Sequence, residues 1–178
     1  MKIVSLLVDP NSGLPIVVLL EREGDRAMPI VIGMPEAEAI AAALQNKGSS
    51  RPRTHDLLAD TLTKMGGSVQ KVVVTDLRDS TFFAEIHVVR TGGLPVLKLD
   101  ARPSDALALA VRLGAEIYVR ENVLAAAHIR PRSKEQGAQE VREEDALRPL
   151  LLDEDATKED LAEILRNLDP EDFGKYKM

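Results

Sequence analysis

Several residue types that often carry chemistry are missing or rare in this chain of 178 residues. It contains no cysteine, which excludes disulfides, thiolate metal sites and a cysteine nucleophile. It has no tryptophan, two Tyr and three Phe, so stacking on aromatic side chains is not expected to dominate any nucleic-acid binding. No apolar run approaches the roughly 20 residues that cross a bilayer, and the N-terminus lacks a signal-peptide pattern. These absences predict a cytoplasmic protein with no membrane contact.

Charge is distributed unevenly along the chain. Residues 1–132 hold 16 basic and 15 acidic side chains, a net of +1, whereas residues 133–178 hold 7 and 14, a net of −7. Eleven of the 16 basic residues in the first part are Arg, whose planar guanidinium suits paired hydrogen bonds to carboxylate or phosphate. The overall net charge of −6 therefore does not exclude a phosphate-bearing partner for residues 1–132.

Apolar periodicity and turn residues predict an α+β fold, with mixed, largely antiparallel sheets and packed helices. Strands are predicted over 2–8, 15–21, 28–32, 69–75, 81–90, 94–99 and 117–119. Helices are predicted over 35–44, 55–65 and 106–113, with one or two further turns at 121–127. We expect Thr54 to cap the second helix, and a turn at 76–80 to join two of the strands.

An internal repeat is visible when the chain is slid along itself by 67 residues. The strand at 15–21 then falls on 82–88, and Glu38–Leu44 falls on Asp105–Val111. Each half reads as a strand-strand-strand-helix unit, so the fold is either a duplicated, pseudo-symmetric unit or two similar units by chance. Under duplication, Glu38 and Asp105 occupy related positions at two helix starts.

Three regions are predicted: an α+β domain over 1–132, an acidic linker over 133–156, and a C-terminal amphipathic helix and tail over 157–178. Thr157 can cap this last helix and Pro170 can end it. An isolated helix of this length is marginal in water, so its apolar stripe must pack on the domain or on a partner. One hypothesis is that the acidic tail shields an Arg-lined cleft. The stripe consists of Leu161, Ile164, Leu165 and Leu168.

Polar residues gather in three short segments beside predicted helix starts, where free N–H groups and the helix dipole favour anions. An Arg there can hold a phosphate, a His can transfer protons near neutral pH, and carboxylates can hold hard cations. The candidates are Arg51, Arg102 and Ser104 for substrate binding, His55, Asp56 and Asp105 for catalysis, and Glu38, Asp56, Asp100 and Asp105 for Mg²⁺ or Mn²⁺.

Helix stability alone also explains several of these residues. Ser104 is a natural N-cap, Asp105 is a favourable first-turn acid, and Arg102 can pair with Asp100 or Asp56. In this alternative, the Arg–Asp–His cluster is a salt-bridge network in a non-catalytic, oligomeric regulatory module. Neighbours on a helix point apart, so His55 and Asp56 are not expected to form a dyad. His87 and His128 are expected at the surface.

At these segments the sequence resembles the bifunctional nuclease domain family. The likeness covers about residues 1–132, and its most specific parts are two motifs, at 54–57 and 100–106. The resemblance implies an α+β fold, hydrolysis of DNA and RNA, and a homo-oligomer, for which a dimer is favoured. The matching stretches are 14–16, Met28–Gly33 leading into Glu36–Ile40, Arg51–Leu57, Phe82–Ala84, Asp100–Ala106 and the closing Pro170–Phe173.

Overall fold

A computed structural model describes residues 1–9 and 12–128, together with the backbone of Leu151–Leu152. The predicted helix and tail at 157–178, and the linker at 133–156 apart from those two leucines, lie outside the described residues. No helix in the described ranges is long and apolar enough to cross a membrane.

The described residues form eight strands and four α-helices. The strands are β1 (Lys2–Val8), β2 (Pro15–Leu20), β3 (Ala27–Val31), β4 (Gly67–Arg78), β5 (Thr81–Arg90), β6 (Leu97–Ala101), β7 (Glu116–Val119) and β8 (Leu151–Leu152). The helices are α1 (Met34–Leu44), α2 (Thr54–Lys64), α3 (Pro103–Leu113) and α4 (Glu121–Ala127).

The strands form two four-stranded sheets. The first sheet has the order β3-β2-β1-β8 and is antiparallel, whereas the second has the order β6-β5-β4-β7 and contains one parallel pair, β4 with β7. Helix α3 packs on α1, on α2 and on the second sheet. The largest apolar cluster joins the first sheet through Leu6 and Leu19 to α1 through Ile40 and to α3 through Leu107. The predicted α+β class is confirmed.

The strand-strand-strand-helix unit occurs twice, as β1-β2-β3-α1 and as β4-β5-β6-α3, with α2 inserted between the two. The predicted register between the helices is wrong, however. Helix α1 has Gly33 as its N-cap and α3 has Arg102, and these caps are 69 residues apart. The counterpart of Asp105 is therefore Glu36 and not Glu38. The Ala-rich bodies of α1 and α3 can be aligned in several registers, so only the N-caps show which residues of the two helices correspond.

All three long helices begin earlier than the sequence predicts, α1 by one residue at Met34. Ser104 is not the N-cap of α3, because Pro103 takes the first helical position and leaves Arg102 as the extended cap. Proline favours that position, and it keeps the preceding residue out of the helical region. Helix α2 likewise has Arg53, and not Thr54, as its N-cap. The backbone N–H of Arg53 donates to Asp56 Oδ2 over 2.8 Å, which closes the first turn one residue earlier.

Three strand features also differ from expectation. The β4–β5 hairpin continues through the predicted turn and reverses at Asp79-Ser80, where both residues have positive φ as in a tight two-residue turn. His87 lies on a strand as predicted, but it is only 9% exposed. Part of the predicted linker is a strand, since Leu151 and Leu152 pair with β1.

Candidate functional site

An acidic side chain occupies the third position of each of the helices α1, α2 and α3. These residues are Glu36, Asp56 and Asp105. A carboxylate there interacts favourably with the positive end of the helix dipole. Each of the three also binds an Arg that belongs to α3 or to its cap, so the charges tie three helix starts to one helix.

His55 and Asp105 form the first part of this cluster. The Nε2 atom of His55 lies 3.0 Å from Asp105 Oδ1, and this contact joins the start of α2 to the start of α3. The His55 side chain is 14% exposed. A carboxylate bonded to one ring nitrogen fixes the ring and its tautomer, which leaves the other nitrogen to exchange protons.

Arg102 binds the same carboxylate by a two-pronged contact. Its Nε donates to Asp105 Oδ2 over 2.7 Å and its Nη2 donates to Oδ1 over 3.0 Å. Its Nη1 lies 2.9 Å from Glu36 Oε1, so one guanidinium bridges the acids of both repeated units. The Arg102 side chain is 57% exposed and therefore open to a ligand.

Glu36 is a member of this cluster that the sequence prediction assigned no role. Its carboxylate folds back over the N-cap, and a Cβ at Gly33 would clash with Glu36 Oε2. A side chain at Gly33 would thus displace the carboxylate from this position. The sequence does contain a signal for Glu36. It directly follows Pro35, and a Pro near a helix start places the next residue in the first turn.

Asp56 faces away from His55, as predicted, and binds Arg112 in the last turn of α3. The Arg112 Nε donates to Asp56 Oδ1 over 2.6 Å. Its Nη1 donates to the carbonyl oxygens of Ala39 and Ala108 over 3.0 and 2.9 Å, so Arg112 joins α1, α2 and α3. Its side chain is only 9% exposed, compared with 57% for Arg102. The sequence prediction missed Arg112, although it is the one charged residue in the otherwise apolar stretch Ala106–Leu113 of α3.

Both bridged aspartates remain charged to lower pH than an ordinary Asp. Burial on its own raises the pKa of Asp105, but the hydrogen bonds from Arg102 and His55 outweigh it and the net pKa is lowered. The hydrogen bond from Arg112, followed by that from the Arg53 backbone, lowers the pKa of Asp56.

This depression gives stability a pH dependence with a defined sign. A carboxyl whose pKa is lower in the folded state stabilises the fold above its unfolded pKa, and that stability is lost as pH falls through the folded pKa. We expect Asp56→Asn to be less stable than the wild type at pH 7, and the difference to shrink as the pH falls below about 4. Urea unfolding from pH 7 to pH 3 measures this, and a pH-independent difference would contradict the assignment.

The remaining predicted residues are dispersed. Arg51 is exposed in the segment before α2, and Ser104 is fully buried at the second position of α3. Glu38 is exposed on α1, whereas Asp100 is exposed on β6 in register with Glu85. The structure therefore brings together His55, Asp105 and Arg102, but not the four proposed metal ligands. Within the described ranges, no group of three or more His, Asp or Glu side chains is arranged to hold a metal ion.

A polar cleft of about 200 Å³ lies against the first turn of α2. It contains three basic side chains, Lys47, Arg53 and Arg112, and one acidic side chain, Asp56, which already binds Arg112. Its charge therefore favours an anion. The remaining lining residues are Ala42, Ala43, Asn46 and Gly48.

Comparisons with known proteins give a consistent result. An uncharacterised protein of Mycobacterium tuberculosis is 37% identical over 174 residues, which is 97% of this chain and 96% of that protein. Bifunctional nuclease 2 of Arabidopsis thaliana is 31% identical over 107 residues, 60% of this chain and 32% of its own length. Bifunctional nuclease 1 of Oryza sativa subsp. japonica is 26% identical over 109 residues, 61% of this chain and 33% of its own length. The chain thus matches about one third of each plant protein.

The family model of the bifunctional nuclease domain matches residues 17–132. This range contains Glu36, His55, Arg102 and Asp105, and therefore the whole charge cluster at the helix starts. The match spans well over half of the 178 residues, and the chain belongs to the bifunctional nuclease domain family.

Proposed function

We propose that this protein is a nuclease that hydrolyses phosphodiester bonds in DNA or RNA, with His55 as its proton-transferring group. The observation that carries the proposal is the contact of 3.0 Å between His55 Nε2 and Asp105 Oδ1, beside the exposed guanidinium of Arg102. A His oriented by a carboxylate and placed next to an anion-binding Arg is the arrangement that acid–base catalysis at a phosphate needs.

The proposed reaction uses the Nδ1 atom of His55. The Nε2–H donates to Asp105, so neutral Nδ1 can accept a proton from the attacking water. The water oxygen forms the new bond to phosphorus, and the bond to the leaving sugar oxygen breaks. The proton then passes from Nδ1 to that leaving oxygen. While Nδ1 holds the proton, the Asp105 carboxylate stabilises the imidazolium.

Basic residues on both sides of His55 supply the positive charge for a phosphate. Arg102 uses three of its five N–H donors in the contacts with Asp105 and Glu36, and most of its side chain is exposed. On the other side, the exposed Arg51 precedes α2, and Lys47 and Arg53 line the adjacent cleft. The two acids of the cluster, Glu36 and Asp105, more than cancel the charge of Arg102, so Arg51, Lys47 and Arg53 set the local attraction for a nucleic-acid backbone.

The cation predicted from the sequence has no matching donor set among the described residues. Asp56 and Asp105 are bound by arginines, while Glu38 and Asp100 lie on separate elements. Hard cations need several convergent oxygen ligands. We therefore derive no step through Mg²⁺ or Mn²⁺.

The first test is hydrolysis of single-stranded DNA and RNA by the purified protein, with and without EDTA. Because the proposed step uses only side chains, we expect activity to persist in EDTA. A loss in EDTA that added Mn²⁺ or Mg²⁺ restores would contradict the metal-free step and support the cation hypothesis. No hydrolysis under any condition would contradict the nuclease proposal itself.

One observation favours a second candidate function, a non-catalytic regulatory module. The Arg112 side chain is nearly buried, and its contacts with Asp56 and Ala39 join three helices, as a structural salt bridge would. In this alternative the contact between Arg102 and Asp105 has the same role, and its removal changes stability alone.

The homo-oligomer and the cytoplasmic location stay predictions, and light scattering on the purified chain measures the first of them.

A further inference from the structure

The first sheet is apolar on both of its faces. Antiparallel strands with one face in water alternate apolar and polar residues, as β5 does. Strands β1, β2 and β3 do not alternate, because Leu6 and Val17 face the helices while their neighbours Leu7 and Val18 face the opposite side. The outer face consists of Val4, Leu7, Ile16, Val18, Ala27 and Val31.

This outer face is covered, and the cover is not a described element. Its six members are at most 8% exposed. Within the described ranges, the cluster that they form contains residues of β1, β2 and β3 and none from a helix or from the second sheet. The burial is that of a single chain, so the covering atoms belong to this same chain. Outside the described ranges the chain has residues 10–11 and 129–178, and only the second of these segments is long enough to cover a sheet face.

The chain returns to this sheet at β8, which pairs with β1 at the sheet edge. Four residues separate Leu152 from Thr157, and they reach about 13 Å, enough to turn from the edge onto a face about 10 Å away. The 12 residues from Thr157 to Leu168 would form a helix about 18 Å long, which spans three strands at about 4.8 Å spacing.

We propose that the apolar stripe of this C-terminal segment packs on the outer face of the first sheet and forms an integral third layer of the fold. The stripe is Leu161, Ile164, Leu165 and Leu168. Its composition distinguishes it from the preceding segment, because residues 129–149 contain only three large aliphatic side chains, Ile129, Val141 and Leu147. The outer face is on the opposite side of the first sheet from α1 and α3. In this position the segment does not cover His55, so its role is structural and not that of a shield.

The absence of cysteine allows a direct test in the full chain. Single thiols are introduced by Val18→Cys on the outer face, Val17→Cys on the inner face, and Glu23→Cys at an exposed turn. We expect the first two to react with a thiol reagent at least about a hundredfold more slowly than the third. Rapid labelling of Val18→Cys would show an open face and overturn the proposal.

The same labelling is then repeated with the stripe changed by Leu161→Asn and Leu165→Asn. We expect protection to be lost at position 18 and kept at position 17. The matched control is Glu159→Asn and Glu163→Asn, which places the same residues at the same spacing on the opposite helix face and should leave both positions protected. Protection of position 18 that survives the stripe change would assign the cover to another segment and overturn the proposal.

A stripe variant that fails to fold loses protection at position 17 as well as at position 18. Disulfide trapping tests the proposal without changing the whole stripe. Val18→Cys is combined in turn with a Cys at position 161, 164, 165 or 168, and, as a control, with Glu163→Cys. We expect an intramolecular disulfide with at least one stripe position and none with position 163. No intramolecular disulfide in the whole set, or disulfides only between chains, would overturn the proposal.

Discussion

Replacing His55 with alanine is expected to lower the rate of phosphodiester hydrolysis by about 10²- to 10⁴-fold, the usual contribution of a positioned acid–base group. The variant loses the proton-transferring ring, but within the described part of the chain it loses only one side-chain hydrogen bond, that to Asp105. Such a bond contributes about 1 kcal/mol, so the melting temperature should change by only a few degrees. Initial rates on single-stranded substrate and thermal unfolding of the same preparation measure the two quantities.

His87 provides a closely matched control for this experiment. Its Nε2 lies 2.8 Å from a carboxylate oxygen of Glu85, and its side chain is 11% exposed, close to the 14% of His55. It lies on β5, away from the three helix starts. His87→Ala should therefore show a similar change in melting temperature and full activity. Full activity in His55→Ala would remove His55 from the catalytic assignment.

Asp105→Asn extends the same test to the orienting residue. The amide keeps the shape of the carboxylate but not its charge, so it cannot stabilise a protonated His55. Residues that act as a unit show non-additive effects, and we expect the double variant with His55→Ala to be no slower than His55→Ala alone. Additive losses would show that Asp105 acts independently of His55.

Replacing Arg112 with alanine is expected to lower the free energy of unfolding by roughly 2–4 kcal/mol. Breaking a buried ion pair usually costs about 3–5 kcal/mol, and we use a lower range because the Asp56 side chain is 38% exposed and water can take over part of the contact. The carbonyl oxygens of Ala39 and Ala108 lose a donor as well. Urea unfolding followed by circular dichroism measures the change.

An exposed pair on α2 serves as the control for Arg112. Lys64 and Asp60 lie 3.4 Å apart with side chains 78% and 61% exposed, and such pairs contribute about 0.3–0.5 kcal/mol. Lys64→Ala should therefore be nearly neutral. A change of less than about 1 kcal/mol in Arg112→Ala would contradict its structural role. Arg102→Ala completes the comparison, because a loss of stability as large as that of Arg112→Ala, without a loss of activity, would favour the regulatory module.

The sequence predicted much of the fold because periodicity and turn residues are local signals. The strands around residues 16–20 and 82–88 and all three long helices were found in this way. The start of α3 was less well predicted, because a Pro that follows the cap competes with a Ser or Thr for the start of a helix. Pro103 moved the start of α3 to a position where Arg102 is the cap.

The candidate site was predicted in part for a related reason. His55, Asp105 and Arg102 could be named because each lies beside a helix start in the sequence. Their contact with Glu36, and that of Asp56 with Arg112, depend on how α1, α2 and α3 cross, which no local pattern encodes. The separation of Glu38 and Asp100 from the cluster has the same origin.

The different caps of the two repeated units also determine how many sites one chain can hold. The second unit has a guanidinium at its cap, and the equivalent cap of the first unit is Gly33, where a Cβ would collide with Glu36. The first unit therefore contributes its acid but no cation of its own. Two nearly equivalent halves share a single positive group, and a fold with an approximate two-fold repeat presents one asymmetric centre.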